Sequence, residues 1–254
     1  MGLRLYVDLP LHTGLDLDLP PGAARHAQVL RLQPGDALTL FNGQGGEHSA
    51  TVTRMGRSAV AVQLTAHQAI ERELACAVTL VVAMPANDRF DWLVEKATEL
   101  GVAHIEPVHS ERSVLRLSAE RAEKKRDHWQ GVATAAAEQC GRTRVPSIAP
   151  VRKLSQVVDL EATHADPLRL LLAWTDAQPL RERWADSQRA NAVTAASRPC
   201  AVRLFSGPEG GFTDTEEQAL RSIGALPTQL GARILRSETA PLAALSWIGL
   251  QAPN

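Results

Sequence analysis

Residues 77–108 constrain this chain more than any other stretch, because they fix the kind of sheet it can build. Residues 77–84 form an almost wholly apolar run of strand length. A strand with one wet face alternates, so a run without alternation belongs in a sheet covered on both faces. Residues 88–100 then carry Phe90, Leu93, Val94, Ala97 and Leu100 at helical spacing, and Gly101 stands where a helix ends. Residues 102–108 follow as a second strand. This order predicts a parallel pair joined by a right-handed crossover, the unit of an α/β fold.

Later segments extend that unit. Residues 118–140 read as a long helix, charged in its first half and carrying Trp129, Val132, Ala133, Ala136 and Cys140 on one face in its second. Gly141 ends it. Residues 168–174 and 201–206 are two more buried strands. Residues 176–199 are poorly patterned, so a helix there has no readable limits.

The first 70 residues differ. Residues 4–7 and 15–19 read as short strands, the second alternating at period two. Pro20-Pro21-Gly22 interrupts, residues 23–32 suggest a short helix, and Gln33-Pro34-Gly35-Asp36 signals a turn. Residues 37–41 and 47–54 read as strands joined by a glycine-rich hairpin loop, and 58–64 as another. Six short elements suggest a compact β-barrel. Ile70-Glu71-Arg72-Glu73 reads as the linker, giving domains at 1–70 and 74–254.

A net charge of −1 excludes a uniformly basic coat but leaves local patches possible. One tyrosine and 4% aromatics argue against a base-stacking platform. Cys76, Cys140 and Cys200 are scattered, so neither a zinc site nor a disulfide framework is suggested. No His-x-x-x-His spacing occurs, and His104, His109 and His128 read as structural or surface residues. Residues 1–20 lack a basic start followed by an apolar run, and no stretch of about 18 apolar residues appears. The expectation is a cytoplasmic protein without metal or membrane span.

Two loops carry the chemistry. Ser206-Gly207-Pro208-Glu209-Gly210-Gly211-Phe212-Thr213 follows a strand and precedes a helix, with Thr213 and Glu216 forming a capping box. Glycines beside a helix start let backbone N–H groups approach a ligand closely. No Gly-Lys-Ser/Thr follows, and Gly-x-Gly-x-x-Gly is absent, so both phosphate-binding fingerprints are excluded. Glycine content alone fits a ligand loop or a plain tight turn. The second loop runs from Leu230 and Gly231 through Arg233, Ile234, Leu235, Arg236, Ser237 and Glu238 into a helix starting near Thr239 and Ala240. Pro241 is tolerated in that helix's first turn.

Taken in order, these loops resemble those of the SPOUT class of methyltransferases. Within it the chain is similar to the ribosomal RNA small-subunit methyltransferase E family. Glu95-Lys96-Ala97-Thr98-Glu99-Leu100-Gly101, Ser110-Glu111-Arg112-Ser113, Ala137-Glu138-Gln139-Cys140-Gly141-Arg142 and Val145-Pro146 add to the likeness, as do His26, Val29-Leu30-Arg31 and Gly35-Asp36. The resemblance covers nearly the whole chain. It implies a PUA-like RNA-binding barrel, then an α/β domain with a parallel sheet and a C-terminal trefoil knot, in a homodimer. It also implies S-adenosylmethionine as cofactor and 3-methyluridine in 16S ribosomal RNA, within the small ribosomal subunit, as product.

The site residues it implies are specific. Leu172, Gly207, Pro208, Glu209, Gly210, Gly211, Leu230, Gly231, Ile234, Leu235, Arg236, Thr239 and Ala240 would hold the cofactor, largely through backbone. Glu209 and Glu238 would accept a proton or orient the base, and Arg236 would stabilise charge on a uridine oxygen. Equally, Glu209 could brace its loop by pairing with an arginine. Arg4, Arg25, Arg31, Arg112, Arg142 and Arg144 are candidates for RNA phosphate. Many relatives carry Lys-Gly where this chain has Ala86-Asn87, so a lysine contact is missing there.

Three other readings compete. Sister enzymes methylate the ribose 2′-hydroxyl, but usually carry Ser-Leu-Asn before the last helix, where this chain has Leu235-Arg236-Ser237-Glu238-Thr239. A non-catalytic RNA-binding protein would leave the two loops unexplained. A metabolic nucleotide enzyme would leave the first domain without purpose.

Overall fold

The structure, a computed structural model, describes residues 2–57, 59–85, 89–161, 167–194 and 200–251. Ala86 and Asn87 lie outside them. The chain divides into two compact units, Met1–Glu73 with Thr134–Val145, and Leu74–Ala133 with Pro146–Asn254.

The first unit contains strands β1 (Arg4–Tyr6) and β2 (Asp16–Asp18), helix α1 (Pro21–Val29), and strands β3 (Ala37–Phe41), β4 (Glu47–Met55) and β5 (Val60–Gln68). They form a five-stranded sheet in the order β1-β3-β4-β5-β2. Val60, Val62 and Leu64 alternate inward along β5 and meet Leu5, Leu38, Leu40 and Val52 in one apolar core. Helix α1 starts at Pro21, earlier than the sequence suggests, because proline suits a first helical turn whose N–H has no partner anyway.

This unit is stapled by ion pairs. Arg4 contacts Glu47, and Arg72 Nη1 lies 2.9 Å from Glu47 Oε2. Arg4 also donates to the Arg142 carbonyl at 3.0 Å and lies over the Phe41 ring. Burial alone would push the Glu47 carboxyl up, but Arg72 and Arg4 hold it below the usual carboxylate range. Glu138 accepts the Tyr6 N–H at 2.8 Å, and its burial pushes its carboxyl upward.

The second unit holds β6 (Cys76–Ala83), α2 (Arg89–Glu99), β7 (His104–His109), the start of α3 (Ala119–Cys140), β8 (Ser147–Ile148), β9 (Arg152–Lys153) and α4 (Leu154–Glu161). It continues with β10 (Leu168–Leu172), β11 (Gln178–Pro179), α5 (Leu180–Thr194), β12 (Cys200–Ser206), α6 (Asp214–Ser222), β13 (Leu226–Gln229) and α7 (Thr239–Gln251). The sheet runs β11-β13-β10-β12-β6-β7-β8, with β9 also pairing β7, and these ladders are parallel. The expected β6–α2–β7 parallel pair is present, with Thr79 opposite His104. Strand β6 is buried on both faces except at Ala77, which explains its unalternating sequence. Val81, Leu171 and Phe205 pack with Phe212, Leu220 and Leu154 in one core, each worth about 1.5–3 kcal/mol of buried side chain.

Residues 176–199 resolve, where described, into β11 and α5. Their apolar face is sparse because α5 is anchored mainly by Leu180 and Trp184. One expectation is corrected. Cys76 and Cys200 are register partners on β6 and β12 and form a disulfide, although 124 residues separate them in the chain. Scattered spacing said nothing of this, since only the sheet brings the two thiols together. No helix among the described residues is long and apolar enough to cross a membrane. Among them, no group of three or more His, Cys, Asp or Glu residues could hold a metal ion.

Candidate active site

The carboxyl ends of β10, β12 and β13 open onto a cavity of about 630 Å³. Ligands in parallel sheets lie beyond strand carboxyl ends, because loops there are free to converge. The wall comes from residues 172–175 after β10, 206–212 after β12, and Leu230 with residues 233–237 after β13.

The first loop is shaped by its glycines. Gly211 adopts φ +69° and donates to the Pro208 carbonyl at 2.8 Å, closing a tight turn. A Cβ on Gly207 would lie 3.0 Å from the Phe212 nitrogen and 3.1 Å from the Gly211 carbonyl carbon. Glycine is therefore required where two strands of backbone nearly touch. Phe212 is buried and pins the loop to the core. Thr213 then caps α6, with the reciprocal Thr213–Glu216 capping box present as expected.

The second loop ends in the first turn of α7, where the Thr239 and Ala240 N–H groups both donate to the Arg236 carbonyl, at 2.9 and 3.0 Å. Pro241 is buried in that turn. Helix α7 packs back on α2, β6 and β12, which fixes the loop at its far end.

Electrostatically the site centres on Arg89, at the start of α2. Its Nη1 lies 3.6 Å from Glu209 Oε1, and its Nε lies 3.8 Å from Glu238 Oε1. Glu238 is buried and accepts a bond from Ser237 Oγ at 3.2 Å. Arg112 donates to the Gly210 and Phe212 carbonyls at 2.8 and 3.2 Å, bracing the glycine loop. Arg233 and Arg236 line the cavity, are exposed, and have no ion pair among the described residues. The arrangement offers backbone amides, apolar wall, two exposed cations and carboxylates held by a third cation.

The structure gathers most of the expected cofactor residues into this wall: Leu172, Gly207, Pro208, Glu209, Gly210, Gly211, Leu230, Ile234, Leu235, Arg236 and Ala240. Gly231, Glu238 and Thr239 adjoin the lining residues in sequence without lining the cavity themselves. The arginines offered for RNA divide. Arg4 and Arg142 are corrected: both are buried, Arg4 on Glu47 and Arg142 on Glu73, so neither presents a guanidinium to a phosphate. Arg144 pairs with Glu71 at 2.9 Å. Arg25 and Arg31 are exposed in the first unit.

Comparison with known proteins decides the family. Residues 72–249 match the RNA methyltransferase domain, and residues 19–65 match the RNA methyltransferase PUA domain. The ribosomal RNA small subunit methyltransferase E of Bacillus subtilis (strain 168) is 31% identical over 88% of this chain and 85% of its own. The chain belongs to the ribosomal RNA small subunit methyltransferase E family. Two solved structures extend the likeness to three dimensions. A ribosomal RNA small subunit methyltransferase E from Neisseria gonorrhoeae, bound to S-adenosyl methionine, has a TM-score of 0.86 and 32% identity, over 99% of this chain and 98% of that one. A Legionella pneumophila protein in complex with the bound cofactor SAM has a TM-score of 0.88 and 32% identity over the same shares.

In this family member, several wall residues escaped sequence reasoning, among them Arg89, Trp174, Thr175 and Thr228. Arg89 looked like an ordinary charge in a first helical turn, and Trp174 like the end of a strand. The available signal was topological. Residues just past the carboxyl ends of adjacent parallel strands share one crevice, and Trp174 and Arg233 stand there by chain position.

Proposed function

We propose that this protein methylates N3 of a uridine in 16S ribosomal RNA within the small ribosomal subunit, with S-adenosylmethionine as methyl donor. The observation that carries this reading is the cavity at the ends of β10, β12 and β13, walled by both motif loops and bearing Glu209 and Arg236. The cofactor fits that wall on physical grounds. Gly207 leaves backbone where a side chain would intrude, and Leu172, Leu230, Ile234 and Leu235 supply an apolar slot for a flat base.

When bound, the cofactor supplies an electrophilic methyl group on a sulfonium. The chain's own task is then chiefly positioning, holding the uridine edge in line with that methyl. The N3 proton must also leave. Glu209, on the wall, is placed to accept it or to orient the base, while Arg89 holds the carboxylate in position. Arg236, exposed on the opposite loop, would stabilise charge developing on a uridine carbonyl oxygen. Glu238 is buried against Arg89 and acts as a positioning group.

The same reading includes a C-terminal trefoil knot, a homodimer and a cytoplasmic location. The first is what membership of the family implies. Ile234, 84% exposed, and Trp174, 52% exposed, support an apolar partner at the cavity mouth.

The test is methyl transfer from labelled cofactor onto small subunits from cells lacking the enzyme, followed by digestion and identification of the nucleoside. 3-Methyluridine is expected. A label on ribose would place the chain with the 2′-hydroxyl enzymes. No transfer despite cofactor binding would leave RNA binding as its role.

A further inference from the structure

A second cavity, of about 340 Å³, lies beyond the carboxyl ends of β7 and β9. His109 ends β7 and Lys153 ends β9, and the two are register partners. Arg116, Ser110, Ser155, Leu117 and Leu154 complete the part of the wall that matters here. Lys153 also opens α4: its backbone N–H donates to Gln156 Oε1 at 3.0 Å, ordering the helix start. Free N–H groups in a first helical turn, with the positive end of the helix dipole, favour an anion.

Arg116 and Lys153 are exposed, and neither has an ion pair among the described residues. The wall holds two carboxylates, Glu111 and Glu216. Glu216 is already committed, its Oε1 accepting the Glu111 N–H at 2.8 Å and its Oε2 the Thr213 N–H at 2.9 Å. His109 also lines the wall, and its ring bonds the Leu115 backbone. Burial holds this imidazole below its ordinary pKa, with Arg116 adding to the effect and a bond to Leu115 opposing it.

This cavity is tied to the methyl-transfer site. The 110–117 segment that lines it contributes Arg112 to the Gly210 and Phe212 carbonyls, and Glu111 to α6 through Glu216. The chain's net charge is −1, and Arg4 and Arg142 are buried, so RNA must find its cations locally. We propose that the cavity is a phosphate subsite for the RNA substrate, in which Arg116, Lys153 and the start of α4 hold a backbone phosphodiester of a nucleotide near the target uridine. The assignment rests on the reading of the protein as an RNA methyltransferase.

The test uses the full chain with Arg116→Ala, Lys153→Ala and the double variant. Small-subunit RNA binding is followed against salt, and cofactor affinity is followed by calorimetry. Both side chains are exposed, so thermal midpoints should match the unsubstituted protein. RNA affinity is expected to fall about tenfold for each variant, with the log–log salt slope shallower by about 0.7 per lost phosphate contact. Lys153→Arg should restore the slope, and cofactor affinity should not move. An unchanged slope in the double variant overturns the subsite. Inorganic phosphate binding that the variants abolish while RNA affinity holds would assign the cavity to a free anion and overturn it equally. If the unsubstituted protein binds this RNA without methylating it, the functional reading fails, while the slope still decides the subsite.

Discussion

Arg89 Nε lies 3.8 Å from Glu238 Oε1, so the first turn of α2 is tied to the residue that precedes α7. The same guanidinium reaches Glu209. One cation thus sets the position of carboxylates on both loops of the cavity. Arg89→Ala should leave both carboxylates without the cation that positions them. We expect methyl transfer to fall at least tenfold, about 1.4 kcal/mol in the barrier. Most of the loss should fall in kcat rather than in cofactor affinity, and Arg89→Lys should recover part of it. Single-turnover rates with cofactor titrations would check this, and an unchanged rate would dismiss Arg89 as a positioning residue.

The two loop glycines should respond differently to alanine. At Gly207 the new Cβ would meet the Phe212 nitrogen at 3.0 Å, and backbone cannot step aside as a flexible side chain can. Gly207→Ala is expected to lower cofactor affinity more than tenfold. At Gly211 nothing lies within 4 Å, but φ is +69°. Gly211→Ala should cost about 1 kcal/mol of stability through backbone strain and keep most cofactor binding. Calorimetric titration with thermal melts separates the two, and equal losses would contradict the geometry.

Glu47 gives the first unit a pH dependence whose sign is fixed. Its folded pKa is held below the unfolded value by Arg72 and Arg4, against the upward push of burial. The stabilisation is therefore present above the unfolded carboxylate pKa and disappears as pH falls through the lower, folded one. Glu47→Gln breaks a buried cluster and should cost about 3 kcal/mol at pH 7. The gap between variant and unsubstituted protein should narrow as pH drops below about 4. Denaturant melts at a series of pH values would show a constant gap if the pairing were idle.

The Cys76–Cys200 bond closes a loop of 124 residues. Reduction should lower the melting midpoint by an amount equivalent to roughly 2–4 kcal/mol. Cys76→Ser and Cys200→Ser should each reproduce it, and neither should respond further to reductant. Cys140 is a free thiol, so Cys140→Ser should retain the full response. Differential alkylation with mass spectrometry would settle which thiols react.

Legibility in the sequence followed the range of the forces involved. Strands β6, β7 and β12, helix α2 and the α6 cap were readable because burial on both faces, a 3.6-residue period and a capping box are written within a dozen residues. The short pieces β8, β9, β11 and α4 were not readable. Two-residue strands carry no period, and α4 needs the core around Val81 and Phe205 to reveal that Leu154 and Val157 face inward. In the site, the glycine loop was visible as a motif, while Arg89 was not, since nothing local distinguishes it from a solvated charge.

Some polar residues show the same boundary more sharply. Arg169 and Arg203 are register partners on neighbouring buried strands, an arrangement that two positive charges would resist. Glu161 takes both, with Arg169 Nε and Arg203 Nε each at 2.9 Å from its carboxylate. By itself the sequence determined a β-rich first domain, a parallel α/β second domain, and two loops fit for a cofactor, because those follow from local periodicity and turn chemistry. Only the tertiary structure decided which charges are neutralised, which arginines are buried rather than offered to RNA, and which cysteines meet. Those outcomes depend on distances between residues tens to more than a hundred positions apart, and Coulomb and covalent contact act through space rather than along the chain.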